Sequence, residues 1–231
     1  MKRPAIFLDL DDTILDFHWA EKRALSATLQ HAGVDPTEEL LRRYSDINRS
    51  QWELLEEGRL TREQVLVKRF EILFAERGIE ASAPAVRDEY EYRLSLGHRF
   101  LPGAEEMLRA MQGSFSLYLA SNGSASVQEA RIASSGIRPF FEDIFISEEL
   151  GADKPSAEYF RLCFARIPDF EISRALMVGD SLTSDIRGGL NSGMLTCWLN
   201  PKREKARPDI VPDFEIRSLK ELLPLAERLF L

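Results

Sequence analysis

The chain has 231 residues, 44% of them hydrophobic and 29% charged, the balance of a globular protein. At roughly 150 residues per domain, that length suits one core domain carrying a sizeable insertion. Its 30 Lys and Arg against 38 Asp and Glu leave a net charge of −8, which argues against a nucleic acid polymer as partner, because phosphate backbones are met by a basic face. Small anionic substrates stay open, since a metal and a few local cations can reverse the sign inside a cleft. Cys163 and Cys197 are too few for a disulfide framework or a Cys-rich zinc site; they read as buried free thiols in a reducing cytoplasm. The apolar run after Lys2 and Arg3 breaks at Asp9, too short for a signal-peptide core. The longest uncharged stretch, 110–128, is too polar to span a bilayer, so no membrane partner is expected.

The first expected strand is 5–8, a continuous apolar run that ends in acids. Such runs suit strands buried on both faces, as in a parallel sheet. The next hundred or so residues hold no convincing strand and read as helices near 18–32, 37–57, 62–77 and 84–98. Thr61-Arg62-Glu63-Gln64 is a capping box for the third, and Leu66, Phe70, Leu73 and Phe74 fall on one face of it. This interval is too long for a crossover helix or a structureless loop, and reads as a four-helix insertion. Further strands are expected at 116–120, 143–146, 175–178 and 195–199, separated by helices at 126–135, 157–166 and 185–191. Residues 201–212, charged and proline-containing, read as a surface excursion, and Ser218–Glu221 as a capping box opening a last helix. Strands alternating with helices imply an α/β doubly wound parallel sheet. The expected division is 1–15 plus 99–231 for the core and 16–98 for an all-helical insert.

Acids cluster just past the carboxyl ends of strands, where ligands bind in such sheets. The first strand runs into Asp9-Leu10-Asp11-Asp12-Thr13, the second into Ser121-Asn122-Gly123, and the fourth into Gly179-Asp180, with Asp185 following; Lys154-Pro155 precedes a helix of the same half. Carboxylates packed this closely repel one another, so a bound cation is the natural solution. Hard oxygen ligands without histidine or thiolate favour Mg²⁺. His18, His31 and His98 are scattered, and Gly188, Gly189 and Gly193 lack the Gly-Lys-Ser/Thr of a phosphate loop. Asp12 reads as a turn acid, with Thr13 helping to fix the loop.

These four elements, in this order, resemble the haloacid dehalogenase (HAD) superfamily of phosphohydrolases over essentially the whole chain. The resemblance implies Asp9 as nucleophile, forming an aspartyl-phosphate, and Asp11 as the acid and base of the two half-reactions. It implies Mg²⁺ held by the Asp9 carboxylate, the Asp11 carbonyl and Asp180. Asp185 would be bridged to the metal through water, or would instead cap the following helix. Ser121 and the backbone around Asn122 would bind phosphate oxygens, and Lys154 would supply fixed positive charge. The true dehalogenases of the superfamily expel halide, which needs no proton, so Asp11 favours phosphate chemistry. The insertion matches the helical cap called type one, whose closure excludes water and selects the leaving group, with hinges at Leu101-Pro102-Gly103 and after Thr13.

Finer features are similar to the bacterial pyrimidine 5'-nucleotidases of this superfamily. They are Asp16-Phe17 with Ala20-Glu21, Ile47-Asn48 with Trp52, Glu57-Gly58, Arg69-Phe70, Ser121-Asn122-Gly123 with Val127-Gln128 and Arg131, and Ser147–Gly151 before Lys154-Pro155. That implies a nucleoside monophosphate substrate, with Phe17 and Trp52 stacking the base and Asn48 and Arg69 as polar partners. Phe17 and Trp52 as plain cap core is the competing reading. At the level of function, the alternatives are a phosphoglycolate or sugar-phosphate phosphatase, a phosphomutase of the same superfamily, or a non-enzymatic phosphosensing scaffold.

Overall fold

Ala5–Leu8 form β1, every residue of it buried. The computed structural model describes residues 2–231 and adds β2 (Ser116–Ser121), β3 (Asp143–Ile146), β4 (Ala175–Gly179), β5 (Leu195–Leu199) and β6 (Phe214–Ile216). Among the described residues these make one six-stranded sheet in the order β3-β2-β1-β4-β5-β6. Every pairing is parallel. Successive β1 residues register against Ser116–Leu119 on one side and Ala175–Val178 on the other.

The α-helices in chain order are α1 (Phe17–His31), α2 (Glu38–Glu56), α3 (Arg62–Arg77), α4 (Ala83–Ser95), α5 (Ala104–Met111), α6 (Ala125–Ser135), α7 (Ser147–Leu150), α8 (Ala157–Ala165), α9 (Arg187–Ser192) and α10 (Leu222–Phe230). Side chains alternate across a strand, so the sheet feeds two cores. Ile6, Leu8, Leu117, Leu119, Leu176 and Val178 pack with α5 and α10 through Met107, Leu108, Leu222 and Leu225. Phe7, Tyr118, Ala120, Phe145 and Met177 pack on the opposite face with Tyr159, Phe160 and Cys163 of α8. A doubly covered parallel sheet is the α/β architecture that the continuous apolar runs imply.

Contacts divide the chain into two units, one of residues up to Asp16 with Arg99–Leu231, the other Phe17–His98. Asp16 falls with the sheet unit, one residue beyond the seam read from the sequence. Its N–H donates to the Arg99 carbonyl at 2.8 Å, its carboxylate pairs with the Arg99 guanidinium, and Leu15 bridges Phe100 in antiparallel fashion. The helical unit packs α1 on α4 and α2 on α3, with α3 also against α4. Tyr44, Phe70 and Tyr90 form its aromatic centre, with ring centroids 5.1–5.6 Å apart. Thr61 and Gln64 make the expected capping box, and Leu66, Phe70, Leu73 and Phe74 are all buried.

Four local readings are corrected. The interval between β1 and β2 holds a fifth helix, α5, which belongs to the sheet unit and buries Met107, Leu108 and Met111. β6, three residues with an exposed Glu215 at their centre, is too short to announce itself by periodicity. The helix expected at 185–191 starts earlier, as a π-helical turn Leu182–Ile186 leading into α9. Ser218 and Glu221 do not close a reciprocal box: the Ser218 hydroxyl accepts from the Lys220 N–H, and Glu221 accepts from the Arg217 N–H. Residues 201–209 are exposed, as expected of an excursion, while Ile210 is buried against Trp198 and Ile186. Among the described residues no helix is long and apolar enough to cross a membrane.

Candidate active site

The sheet order reverses direction at β1, with β2 on one side and β4 on the other, so the crevice at their carboxyl ends is where a ligand fits. Asp9 follows β1 directly, and its N–H donates to the Val178 carbonyl at 3.0 Å, fixing it beside the end of β4. Carboxylate oxygens of Asp9, Asp180 and Asp185 lie within 4.8 Å of one another.

Lys154 stands among these acids, 1% exposed. Its ammonium donates to Asp9 Oδ1, Asp185 Oδ1 and the Ala120 carbonyl, each at 2.7 Å, so three acceptors match its three protons. The backbone that delivers it is clamped by Asn122, whose amide donates to the Lys154 carbonyl and accepts from the Lys154 N–H, both at 2.8 Å. Asn122 thus ties the end of β2 to the lysine through its side chain.

One ammonium does not neutralise three carboxylates. Burial, followed by the repulsion of Asp185 and Asp11, pushes Asp9 up to about 8 despite the opposing pull of Lys154. Burial and the charges of Asp185, Asp9 and Asp12 raise Asp180 well above the usual carboxylate range. For Lys154, burial favours the neutral amine, but the carboxylates of Asp185 and Asp9 outweigh it and hold the ammonium charged.

Asp185 is 1% exposed and does more than one job. The N-cap of its turn is Ser181, whose hydroxyl accepts from the Ser184 N–H at 3.1 Å. Asp185 reaches back to accept from the Ser181 N–H at 3.1 Å, as well as from Lys154. Gly179 makes this possible, because a β-carbon there would lie 2.1 Å from Asp185 Oδ2. Asp180 is held from β5, where the Trp198 indole N–H donates to its carbonyl at 2.7 Å.

Asp11 faces a different set of partners. Its Oδ1 accepts from Arg131 at 2.5 Å and its Oδ2 from Gln128 Nε2 at 2.7 Å. The same Gln128 nitrogen donates to the Ser121 hydroxyl at 2.8 Å. Asp12, at φ 56°, turns the chain after β1, and Thr13 is fully buried beneath it.

The four residues expected to bind a substrate lie in the helical unit. Phe17 opens α1 and Trp52 sits on α2, both half-buried, with the Arg62 guanidinium 5.7 Å from the Trp52 ring centre. Asn48 and Arg69 are buried. Asn48 donates to Glu21 at 2.9 Å and accepts from Arg69 at 3.1 Å; Arg69 also donates to Glu91 at 2.9 Å and to the Leu66 carbonyl at 3.2 Å. This polar chain ties α1, α2, α3 and α4 together, which puts Asn48 and Arg69 in the interior of the unit. Burial is also the main cause that raises Glu21. Sequence reasoning gave no role to Gln128, Arg131, Glu21 or Trp198. For Gln128 and Arg131 a signal exists, since they sit three apart on the same buried stripe of α6 as Val127 and Ile132.

Known proteins with this architecture narrow what such a site does. The HAD-hydrolase YfnB of Bacillus subtilis is 42% identical over 96% of this chain and 95% of its own length. The YfnB crystal structure bound to magnesium superposes with a TM-score of 0.93, covering 98% of this chain and 99% of that one. The pyrimidine 5'-nucleotidases PynA of Streptococcus pneumoniae and YjjG of Escherichia coli are 34% and 32% identical, each over 96% of this chain and 94% and 97% of theirs. The family model for haloacid dehalogenase-like hydrolases matches residues 4–193, from the start of β1 past the last acid of the cluster. The chain belongs to the haloacid dehalogenase-like hydrolase family.

Proposed function

We propose that the protein is a Mg²⁺-dependent phosphomonoesterase that works through an aspartyl-phosphate on Asp9 and takes (deoxy)pyrimidine nucleoside 5'-monophosphates. The observation that carries the reading is a second carboxylate, Asp11, hydrogen-bonded to the same Gln128 as the phosphate-binding candidate Ser121. A hydrolase that expels halide has no use for this acid, whereas one that expels an alkoxide needs it. The nucleotidase relatives, similar along nearly their whole length, support the substrate class.

Asp9 Oδ attacks phosphorus, the ester P–O bond breaks, and the leaving oxygen takes a proton from Asp11. Asp11, now a carboxylate, takes a proton from water as the water oxygen attacks the same phosphorus. The bond to Asp9 breaks and inorganic phosphate leaves. The Ser121 hydroxyl and the backbone N–H groups beside it bind the phosphoryl oxygens. Lys154 keeps a positive charge next to the nucleophile throughout.

The donor set fits a divalent cation: three carboxylate oxygens within 4.8 Å of one another and too little positive charge to ionise them all. Asp9, Asp180 and the Asp11 carbonyl would hold Mg²⁺ with Asp185 beside it, and the ion would supply charge to the transferring phosphoryl group.

The thermodynamic consequence is a pH-dependent response to metal. Asp9 keeps its proton in the metal-free fold up to about 8, against 3.8 for an ordinary Asp, so the folded state binds more protons than the unfolded one. Stability of the metal-free protein should therefore fall as pH climbs from about 4 to about 8. Mg²⁺ replaces the proton, so its stabilisation should be larger at about pH 8 than at about pH 5.5. Thermal denaturation with and without Mg²⁺ at both values measures this, and equal shifts would remove these acids as the ligands.

In the helical unit, Phe17 and Trp52 stack the base, while Asn48 and Arg69 hold α2 in position from within. Trp52→Ala is expected to lower kcat/KM for dUMP about tenfold while leaving p-nitrophenyl phosphate nearly unaffected, since base stacking is worth about 1–3 kcal/mol. The substrate class is tested by kcat/KM across nucleoside monophosphates, phosphoglycolate and hexose phosphates. Comparable values on all three would replace the nucleotidase reading with a broad-specificity phosphatase.

A further inference from the structure

Both oxygens of the Asp11 side chain are occupied by donors from a single helix, α6. Arg131 holds Oδ1 at 2.5 Å and Gln128 holds Oδ2 at 2.7 Å. The two donors are themselves joined, Arg131 to Gln128 Oε1 at 2.9 Å, and both are buried, at 0% and 1% exposure. Gln128 also grips Ser121, and glycine at 123 leaves it room, because a β-carbon there would lie 2.3 Å from Gln128 Nε2. An arginine buried without solvent contact is costly unless it is paired, and this one is paired with the residue assigned the proton transfers.

We propose that Gln128 and Arg131 are positioning residues for the second half-reaction, acting through Asp11; the inference rests on the phosphomonoesterase reading above. A carboxylate that accepts two N–H bonds presents its remaining lone pairs in a fixed direction. That is what removing a proton from the attacking water requires: the proton passes to Asp11, the water oxygen bonds to phosphorus, and the Asp9–phosphorus bond breaks. The first half-reaction makes the opposite demand whenever the leaving oxygen needs a proton, because Asp11 must then offer one. A leaving group as stable as p-nitrophenolate needs none. With that substrate the first half-reaction proceeds without help from Asp11, and the effect of the α6 pair is isolated in the second.

The test uses Arg131→Met, Gln128→Met and the conservative Arg131→Lys in the full chain, with p-nitrophenyl phosphate and Mg²⁺. The decay of the Asp9 acyl-phosphate, followed by rapid quench, is expected to slow about tenfold in the two Met variants, a part of the 10²–10⁴ that general base catalysis supplies. Arg131→Lys should recover part of that loss. In the steady state kcat and KM should fall together, so that kcat/KM changes by less than about threefold. Loss of folded enzyme gives a different signature, a lower kcat at constant KM with an unchanged decay rate, and that result would overturn the proposal. Wild-type enzyme that releases no p-nitrophenolate with Mg²⁺ would overturn the phosphomonoesterase reading itself, and turnover without an acyl-phosphate on Asp9 would overturn its covalent mechanism; both outcomes are visible before any α6 variant is made.

Discussion

Asp9→Asn is expected to release phosphate from dUMP at less than about one-thousandth of the wild-type rate, with no acyl-phosphate trapped by acid quench. The size of the loss follows from the chemistry removed. An amide is no nucleophile toward phosphorus, and residues that act as one unit fail together when one is lost. The fold should survive, because Lys154 keeps its bonds to Asp185 and to the Ala120 carbonyl and the uncharged amide relieves repulsion within the acid cluster. Unchanged thermal stability with lost turnover would locate the effect in the reaction. Full activity in this variant would remove the covalent mechanism, and activity that survives EDTA would remove the metal.

Lys154→Met is the second large effect, and it falls on stability as well as on turnover. The variant keeps most of the side-chain volume and removes the only ammonium that the described residues bring within 2.7 Å of Asp9 and Asp185. Breaking a buried ion pair from one side strands its partners, at a cost of about 3–5 kcal/mol. The cost should depend on pH. Asp9 and Asp180 already tend to hold protons in this site, so at about pH 5.5 the acids can neutralise themselves, whereas at about pH 8 they are driven to ionise. Urea denaturation without metal should therefore show a larger deficit at the higher pH, partly restored by Mg²⁺. A variant as stable as wild type at both values would mean that the cluster is held neutral by other means.

The strand ends that carry the acid cluster were open to reading because chemistry and fold wrote them in the same places. β1 is four apolar residues followed by Asp9, and a strand buried on both faces must deliver whatever comes next to the carboxyl edge of the sheet. Asp9, Asp180 and Asp185 meet because β1 and β4 are neighbours in a parallel sheet, and Lys154, which follows β3 and α7, is clamped by Asn122 just past β2. Hydrogen bonds that cross the chain at a distance leave no comparable trace. Arg131 reaches Asp11 across 120 positions, and Trp198 reaches Asp180 from a strand whose own pattern announces only burial. Asn48 and Arg69 show the opposite difficulty. Polar residues on helices invite a binding role, but Glu21 and Glu91 satisfy them inside the unit, and sequence does not reveal which polar side chains have found one another. α5 was missed although Pro102-Gly103 breaks the chain just before it, because eight residues show barely two turns of helical periodicity.

The joint between the two units has a consequence for how such proteins can be rebuilt. Leu15 and Phe100 face each other as an antiparallel pair, and Asp16 and Arg99 are joined by backbone and side chain alike. The chain thus departs and returns through the stem of a hairpin, whose ends stay registered by bonds belonging to the sheet unit. Such a stem is a socket: a short turn could cap it, or a foreign helical bundle could be spliced into it, with little of the loop-closure entropy left to supply. Recombination at this one stem would exchange the helical unit while leaving the sheet unit and its acid cluster unaltered.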